Sequence, residues 1–182
     1  MKLLSLDQED IIVKYMKSGS LFIHPTDTIY GIGCNALKDE SVEMIRKMKN
    51  TDHPFSIIAP SFEWIRMHTQ PADERYLSKL PGPYTFILKK RKPEFLKQAS
   101  STDKLGIRVP DHPILRLVMK ANVPFITTSA NISGQAPIKQ INQLPKELLK
   151  SIDYIIDGGV LDNKPSQVID LTEEKPKILR SF

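Results

Sequence analysis

Arg108 lies in Leu105-Gly106-Ile107-Arg108-Val109, a short apolar run that reads as a buried strand. An unpaired guanidinium is expensive to bury, so Arg108 must meet an anion. That anion is either internal, with Asp103 and Asp111 nearby in the chain, or the carboxylate of a ligand. A second polar group, TTSANISG at residues 127–134, directly follows the apolar Phe125-Ile126. Its hydroxyls, Asn131 amide and backbone N–H groups can hold phosphate oxygens, or can close an ordinary turn. Lys47 and Lys49 end a helical run, where they complement the helix dipole or face phosphates or a carboxylate as point charges. His53 follows as a general base or a solvated loop residue. The segment PTDTIYGIGCNA, residues 25–36, sets Thr26, Asp27, Thr28 and Tyr30 at the end of a buried strand. Ligands of α/β sheets favour such strand ends. Gly31 and Gly33 permit unusual backbone angles and close approach of a ligand. The alternative is a strand-to-helix connection in which Asp27 satisfies local backbone donors. Ser166 and Arg180 read by themselves as surface residues, and Lys89 to Lys92 as a basic run that meets either solvent or RNA.

The remaining chemistry is defined by what is missing. No GxxxxGK[ST] phosphate loop occurs, and Gly-Ile-Gly lacks the third glycine of a dinucleotide fingerprint. No Ser-His-Asp or Cys-His arrangement offers an activated nucleophile.

Helical and strand periodicities alternate along the chain, which predicts an α/β fold. Asp7 can cap a helix with Ile11, Ile12, Tyr15 and Met16 on one face, ended by Gly19. Leu21-Phe22-Ile23 is a strand stopped by Pro25, and Asp39 can cap a helix carrying Val42, Ile45 and Met48. Phe55 to Ala59 is a strand, Ser61 caps a helix through Trp64, and a further helix is expected from Ala72 to Leu80. Strands follow at Tyr84–Leu88, Leu105–Val109, Phe125–Thr128, Tyr154–Ile156, Gln167–Leu171 and Ile178–Leu179, with helices from Pro113 to Met119 and Lys146 to Lys150. Some consecutive strands lack an intervening helix, so the sheet is expected to be mixed.

Composition sets the frame. With 182 residues, 40% hydrophobic and 26% charged, the chain reads as one globular domain, 1–182, rather than a disordered one. The excess of 26 basic over 21 acidic residues, +5, leans toward anionic partners. One cysteine, Cys34, excludes an internal disulfide and the common thiolate zinc sites. The N-terminal MKLLSLDQEDII does not read as a signal peptide, and no apolar run approaches the roughly 20 residues of a membrane span. A cytoplasmic protein without membrane contact is expected.

In order along the chain, PTDTIYGIGCNA, KMK followed by HPF, PGPYTFIL, LGIRVPDHP, TTSANISG and PSQVID followed by LR resemble the YrdC-like family, which includes the threonylcarbamoyl-AMP synthases of the TsaC type. The resemblance spans about Phe22 to Arg180. It implies a twisted, mostly mixed or antiparallel sheet with flanking helices around a concave basic cavity. It also implies an enzyme that joins L-threonine, bicarbonate or CO2 and ATP into L-threonylcarbamoyl-adenylate, releasing pyrophosphate. A downstream threonylcarbamoyl transferase then completes the t6A modification of tRNA. By this resemblance Thr28, Tyr30, Arg108, Thr127 and Ser166 hold threonine, with Arg108 on its carboxylate. Lys47, Lys49, His53, Lys104, Ser129, Asn131 and Arg180 contact ATP, and Lys47, Lys49 and Arg108 carry the catalysis. Mg2+ arrives with ATP, and no metal ligand is assigned to the protein. Arg108→Ala is expected to abolish threonine-dependent activity in a folded protein. Lys49 stands where the family has arginine, Asn50 where a proline often follows, and Ile58 where some relatives have histidine. The segment DYIIDGGVLDNKPSQVIDL is similar to the YciO branch, so a YciO-like enzyme that hydrolyses the adenylate is one alternative. A non-catalytic RNA-binding module is the other.

Overall fold

The computed structural model describes residues 2–71, 73–132 and 134–182. The strands are β1 (Lys2–Leu4), β2 (Phe22–His24), β3 (Gly31–Gly33), β4 (Ser56–Ile58), β5 (Thr69–Gln70), β6 (Tyr84–Lys90), β7 (Lys104–Arg108), β8 (Phe125–Ser129), β9 (Tyr154–Ile156), β10 (Gln167–Asp170) and β11 (Lys177–Arg180). The helices are α1 (Glu9–Ser18), α2 (Asp39–Lys49), α3 (Phe62–His68), α4 (Ile114–Ala121) and α5 (Lys146–Leu149). The strands form one sheet in the order β1-β9-β2-β3-β8-β4-β7-β6-β10-β11, with β5 paired to β6. Pairs β1/β9, β2/β9, β4/β7 and β6/β10 are parallel, and the others antiparallel, so the sheet is mixed.

Alternation along the central strands builds two cores. Phe22, Ile58, Phe125, Tyr154 and Ile156 point to one face, where α1 and α4 cover them with Ile12, Met16, Ile114, Leu117 and Val118. Ile23, Ile57, Ile107, Ile126 and Ile155 point to the other. The period of two thus places neighbours in the chain on opposite faces, as a sheet buried on both sides requires.

Several local expectations are met through identifiable bonds. Gly19 ends α1 in the left-handed region, φ 94°, and its N–H reaches the Met16 carbonyl. Ser61 Oγ accepts from the Trp64 N–H and starts α3. Others are corrected. Gln8, not Asp7, occupies the start of α1, because a Ser5–Gln8 turn precedes the helix; Glu9 and Asp10 supply its acidic first turn. Lys38 precedes α2, and Asp39 is already helical. The helix expected over 72–80 is a 3-10 helix, Glu74–Lys79, started by Asp73; Ala72 lies outside the described residues.

Strands β1, β3 and β5 also fall outside the sequence reading. For β3 the cause is steric. A Cβ on Gly33 would stand 2.3 Å from the Ile126 carbonyl oxygen and 2.3 Å from the Phe125 ring. Gly31 and Gly33 therefore let neighbouring chain segments approach, and neither adopts a positive φ. The basic run is divided as well: Lys90 is buried at the end of β6, donating to the carbonyls of Pro93 (3.1 Å) and Ser100 (2.7 Å).

Candidate functional site

The sheet face that packs on α1 and α4 changes character along its length. Phe125 pairs with Ile58, and Ile58 with Arg108, at the apolar end. Two residues further along each strand, Thr127 pairs with Ser56, Ser56 with Gly106, and Gly106 with Ile87. Strand pairing places these side chains on one face. This row floors a cavity of about 300 Å³, lined also by Thr28, Ile29, Tyr30, Gly31, Pro54, Phe55, Thr85, Thr128, Ser129, Ser166, Val168, Arg108 and Arg180. Gly106 keeps the floor open, since a Cβ there would come 2.9 Å from Ser56 Oγ. Among the described residues the lining contains two guanidinium groups, many hydroxyls and no carboxylate. It is suited to an anionic, hydrogen-bonding ligand.

Arg108 is held in place by an internal anion. Its Nη2 donates to Asp27 Oδ1 at 2.6 Å, and both side chains are buried. The partner is neither Asp103 nor Asp111 as a side chain; the Asp111 backbone N–H instead donates to Asp27 Oδ2 at 3.1 Å. The segment 25–36 thus crosses to β7, which sequence proximity could not reveal. Burial pulls the guanidinium below its ordinary pKa, and the Asp27 charge opposes that. Its Nε is buried without a hydrogen-bond partner.

The rest of the segment 25–36 is shaped by Thr26, whose Oγ1 accepts from the Thr28 and Ile29 N–H groups and donates to the Ile29 carbonyl at 2.7 Å. Tyr30 lines the cavity, but its hydroxyl is taken up elsewhere. The hydroxyl lies 2.8 Å from the Gly159 carbonyl and 3.1 Å from Asp157 Oδ1, and accepts from the Gly158 N–H at 2.9 Å. Burial raises its pKa to about 12. Across the cavity, Thr85 and Ser166 share a hydrogen bond of 2.7 Å. Arg180 binds the Ser166 carbonyl through Nε and the hydroxyl through Nη2.

Thr28, Tyr30, Arg108, Thr127, Ser129, Ser166 and Arg180 are therefore brought to one cavity. Lys47, Lys49, His53, Lys104 and Asn131 are not among its lining residues. Lys47 is exposed on α2, 3.9 Å from Glu43. His53 is exposed in the loop after α2. Lys104 is engaged by Asp170 (3.1 Å) and Thr172 (3.0 Å). Lys49 is buried, and its Nζ donates to the carbonyls of Ser129 (2.6 Å) and Asn131 (2.8 Å) and to Asn131 Oδ1 (3.2 Å). Desolvation lowers its pKa to about 8. Asn131 also donates through Nδ2 to the Gln135 carbonyl, so Lys49 and Asn131 support the turn that carries Ser129. Ser56 and Thr85 are lining residues that sequence reasoning missed. Their signal was a hydroxyl inside a strand that otherwise reads as core.

The Sua5–YciO–YrdC family model, described as telomere recombination, matches residues 14–181. The chain belongs to this family. A Sua5–YciO–YrdC relative, the threonylcarbamoyl-AMP synthase of Pyrococcus abyssi, is 34% identical over 178 residues, which are 93% of this chain and 52% of the relative. The structure of P. abyssi Sua5 complexed with L-threonine matches with a TM-score of 0.85 at 30% identity, over 99% of this chain and 57% of that one. The chain thus spans little more than half of those proteins. E. coli YciO matches with a TM-score of 0.86 at 27% identity, over all of this chain and 95% of YciO.

Proposed function

We propose that the protein is an L-threonylcarbamoyladenylate synthase, a nucleotidyltransferase serving tRNA t6A modification. The observation that carries this reading is Arg108, buried on β7 and lining a hydroxyl-rich cavity, in a chain that superposes on Sua5 complexed with L-threonine. Arg108 would bind the threonine carboxylate, as a guanidinium does best among side chains. Thr28, Thr127 and Ser166 would surround the amino acid with hydroxyls, and the Tyr30 ring would shape its pocket. Ser129 and Arg180 would meet the nucleotide.

The threonine amine would capture CO2 to give an N-carboxylate. That carboxylate would attack the α-phosphorus of ATP, forming the acyl-phosphate bond as the bond to pyrophosphate breaks. Such a displacement needs alignment and charge neutralisation rather than a covalent nucleophile. Among the described residues no group of three or more His, Cys, Asp or Glu could hold a metal ion. Mg2+ would travel with ATP, bound by phosphate and water oxygens. A threonylcarbamoyl transferase would consume the product.

The test is pyrophosphate and adenylate formation from purified protein, ATP, Mg2+ and bicarbonate, with and without L-threonine. Threonine-dependent release of pyrophosphate together with the adenylate is expected. Cleavage of added adenylate with little synthesis would instead indicate a YciO-like task. Salt-sensitive RNA binding without turnover would indicate an RNA-binding module.

A further inference from the structure

Asp27 does not line the cavity, yet it holds Arg108, which does. Its side chain is 9% exposed, and both carboxylate oxygens are committed: Oδ1 to Arg108 Nη2, Oδ2 to the Asp111 N–H. Its backbone carbonyl accepts from Asn163 Nδ2 at 3.0 Å, which ties the loop before β10 to the same point. Arg108 Nη1 makes no hydrogen bond among the described residues. One edge of the guanidinium is thus gripped from outside the cavity while other donors remain for a ligand.

We infer that Asp27 is the positioning residue for Arg108, setting the angle at which the guanidinium meets the substrate carboxylate. This rests on the threonine reading above. The residue type is demanding. Two donors, from Arg108 and from the Asp111 backbone, converge on the side chain, and only a carboxylate offers an acceptor to each. In Asp27→Asn one of the two donors faces an amide NH2, so Arg108 is released or the Asp111 turn shifts. The pair also has a consequence for specificity. Arg108 enters the cavity already partly neutralised, so geometry rather than net attraction selects the ligand: a carboxylate that can reach the ungripped edge binds, and a diffuse anion gains less.

The experiment is steady-state pyrophosphate release by wild type, Asp27→Asn, Arg108→Lys and the double variant, varying L-threonine and ATP separately. Asp27→Asn is expected to raise the KM for threonine about tenfold or more, with kcat and the KM for ATP within about threefold. The double variant is expected to be no worse for threonine than Arg108→Lys alone, since both changes act through one guanidinium. A threonine KM unchanged in Asp27→Asn overturns the positioning role. So does a threonine KM in the double variant that equals the product of the two single effects, or a uniform fall in every parameter, which marks a merely structural residue. Should Asp27→Asn fail to fold by circular dichroism, Asp27→Glu keeps both acceptors and displaces them by one methylene. The same threonine-only rise is expected there, and its absence again overturns the role. Wild type without threonine-dependent turnover overturns the synthase reading and this role with it; normal wild type with an insensitive Asp27 overturns this role alone.

Discussion

His24 gives a test of the fold beneath the site that needs no substrate. The ring is fully buried between β3 and Phe125, with Nδ1 3.2 Å from the Pro25 carbonyl and Nε2 without a partner. Desolvation lowers its pKa from 6.5 to about 4, and the nearby Arg108 and His112 add to the effect. The folded protein therefore keeps His24 neutral where the unfolded chain protonates it. Stability is fully present above pH 6.5 and is lost as pH falls toward 4, at up to about 1.4 kcal/mol per pH unit. Between pH 7 and pH 4.5 the loss attributable to His24 is about 2 kcal/mol. Carboxylates titrate over the same range, so the comparison must be with a non-titrating variant. His24→Leu carries its own fixed cost, from repacking and from the Pro25 carbonyl left unbonded, and that cost is the same at both pH values. Urea unfolding of both proteins at pH 7 and pH 4.5 isolates the histidine. Wild type is expected to lose about 2 kcal/mol more than His24→Leu on acidification. Equal losses would refute the argument that the imidazole is held neutral.

Gly33→Ala places a Cβ against the Ile126 carbonyl and the Phe125 ring, neither of which can yield cheaply, and is expected to cost about 3 kcal/mol or more in urea unfolding. Ser166→Ala removes the hydroxyl shared by Thr85 and Arg180; a loss near 1 kcal/mol should appear as roughly a fivefold rise in the threonine KM with little change in melting temperature. Arg108→Ala leaves Asp27 buried without its cation and is expected to cost about 3–5 kcal/mol of stability, read by urea unfolding, alongside the loss of threonine-dependent activity. Arg108→Lys keeps the charge, loses the fork, and is expected to raise the threonine KM at least about tenfold while the protein stays folded.

Much of this arrangement could be read from the sequence because it follows from local rules. Short apolar runs such as Leu21-Phe22-Ile23 and Phe125-Ile126 announced the central strands, and the hydroxyls of TTSANISG announced a strand end rich in donors. Arg108 announced itself as a charge in an apolar run. What could not be read is pairing across distance. Asp27 and Arg108 are 81 residues apart in sequence, and Asp103 and Asp111 were the natural candidates only because they are near. Gly31-Ile32-Gly33 does not look like a strand, because its glycines answer to Phe125, Ile126, His24 and Thr127 on neighbouring strands. Lys104 was assigned to the nucleotide by resemblance, and its bonds to Asp170 and Thr172, which belong to a strand and turn far along the chain, could not be read from the sequence.

Lys49 shows how a departure from the family pattern can be read physically. An arginine there would present a planar fork, and the resemblance aimed it at phosphate. In this chain the ammonium meets acceptors from Ser129 and Asn131 at 2.6, 2.8 and 3.2 Å, which suits a compact group with three diverging N–H bonds better than a flat one. Through these bonds it braces the turn from which Ser129 faces the cavity. Asp27 stands in the same relation to Arg108. In both cases, a group outside the lining sets the direction of a group within it, so substitutions at Lys49 and Asp27 should be felt first in the KM of the ligand each neighbour serves.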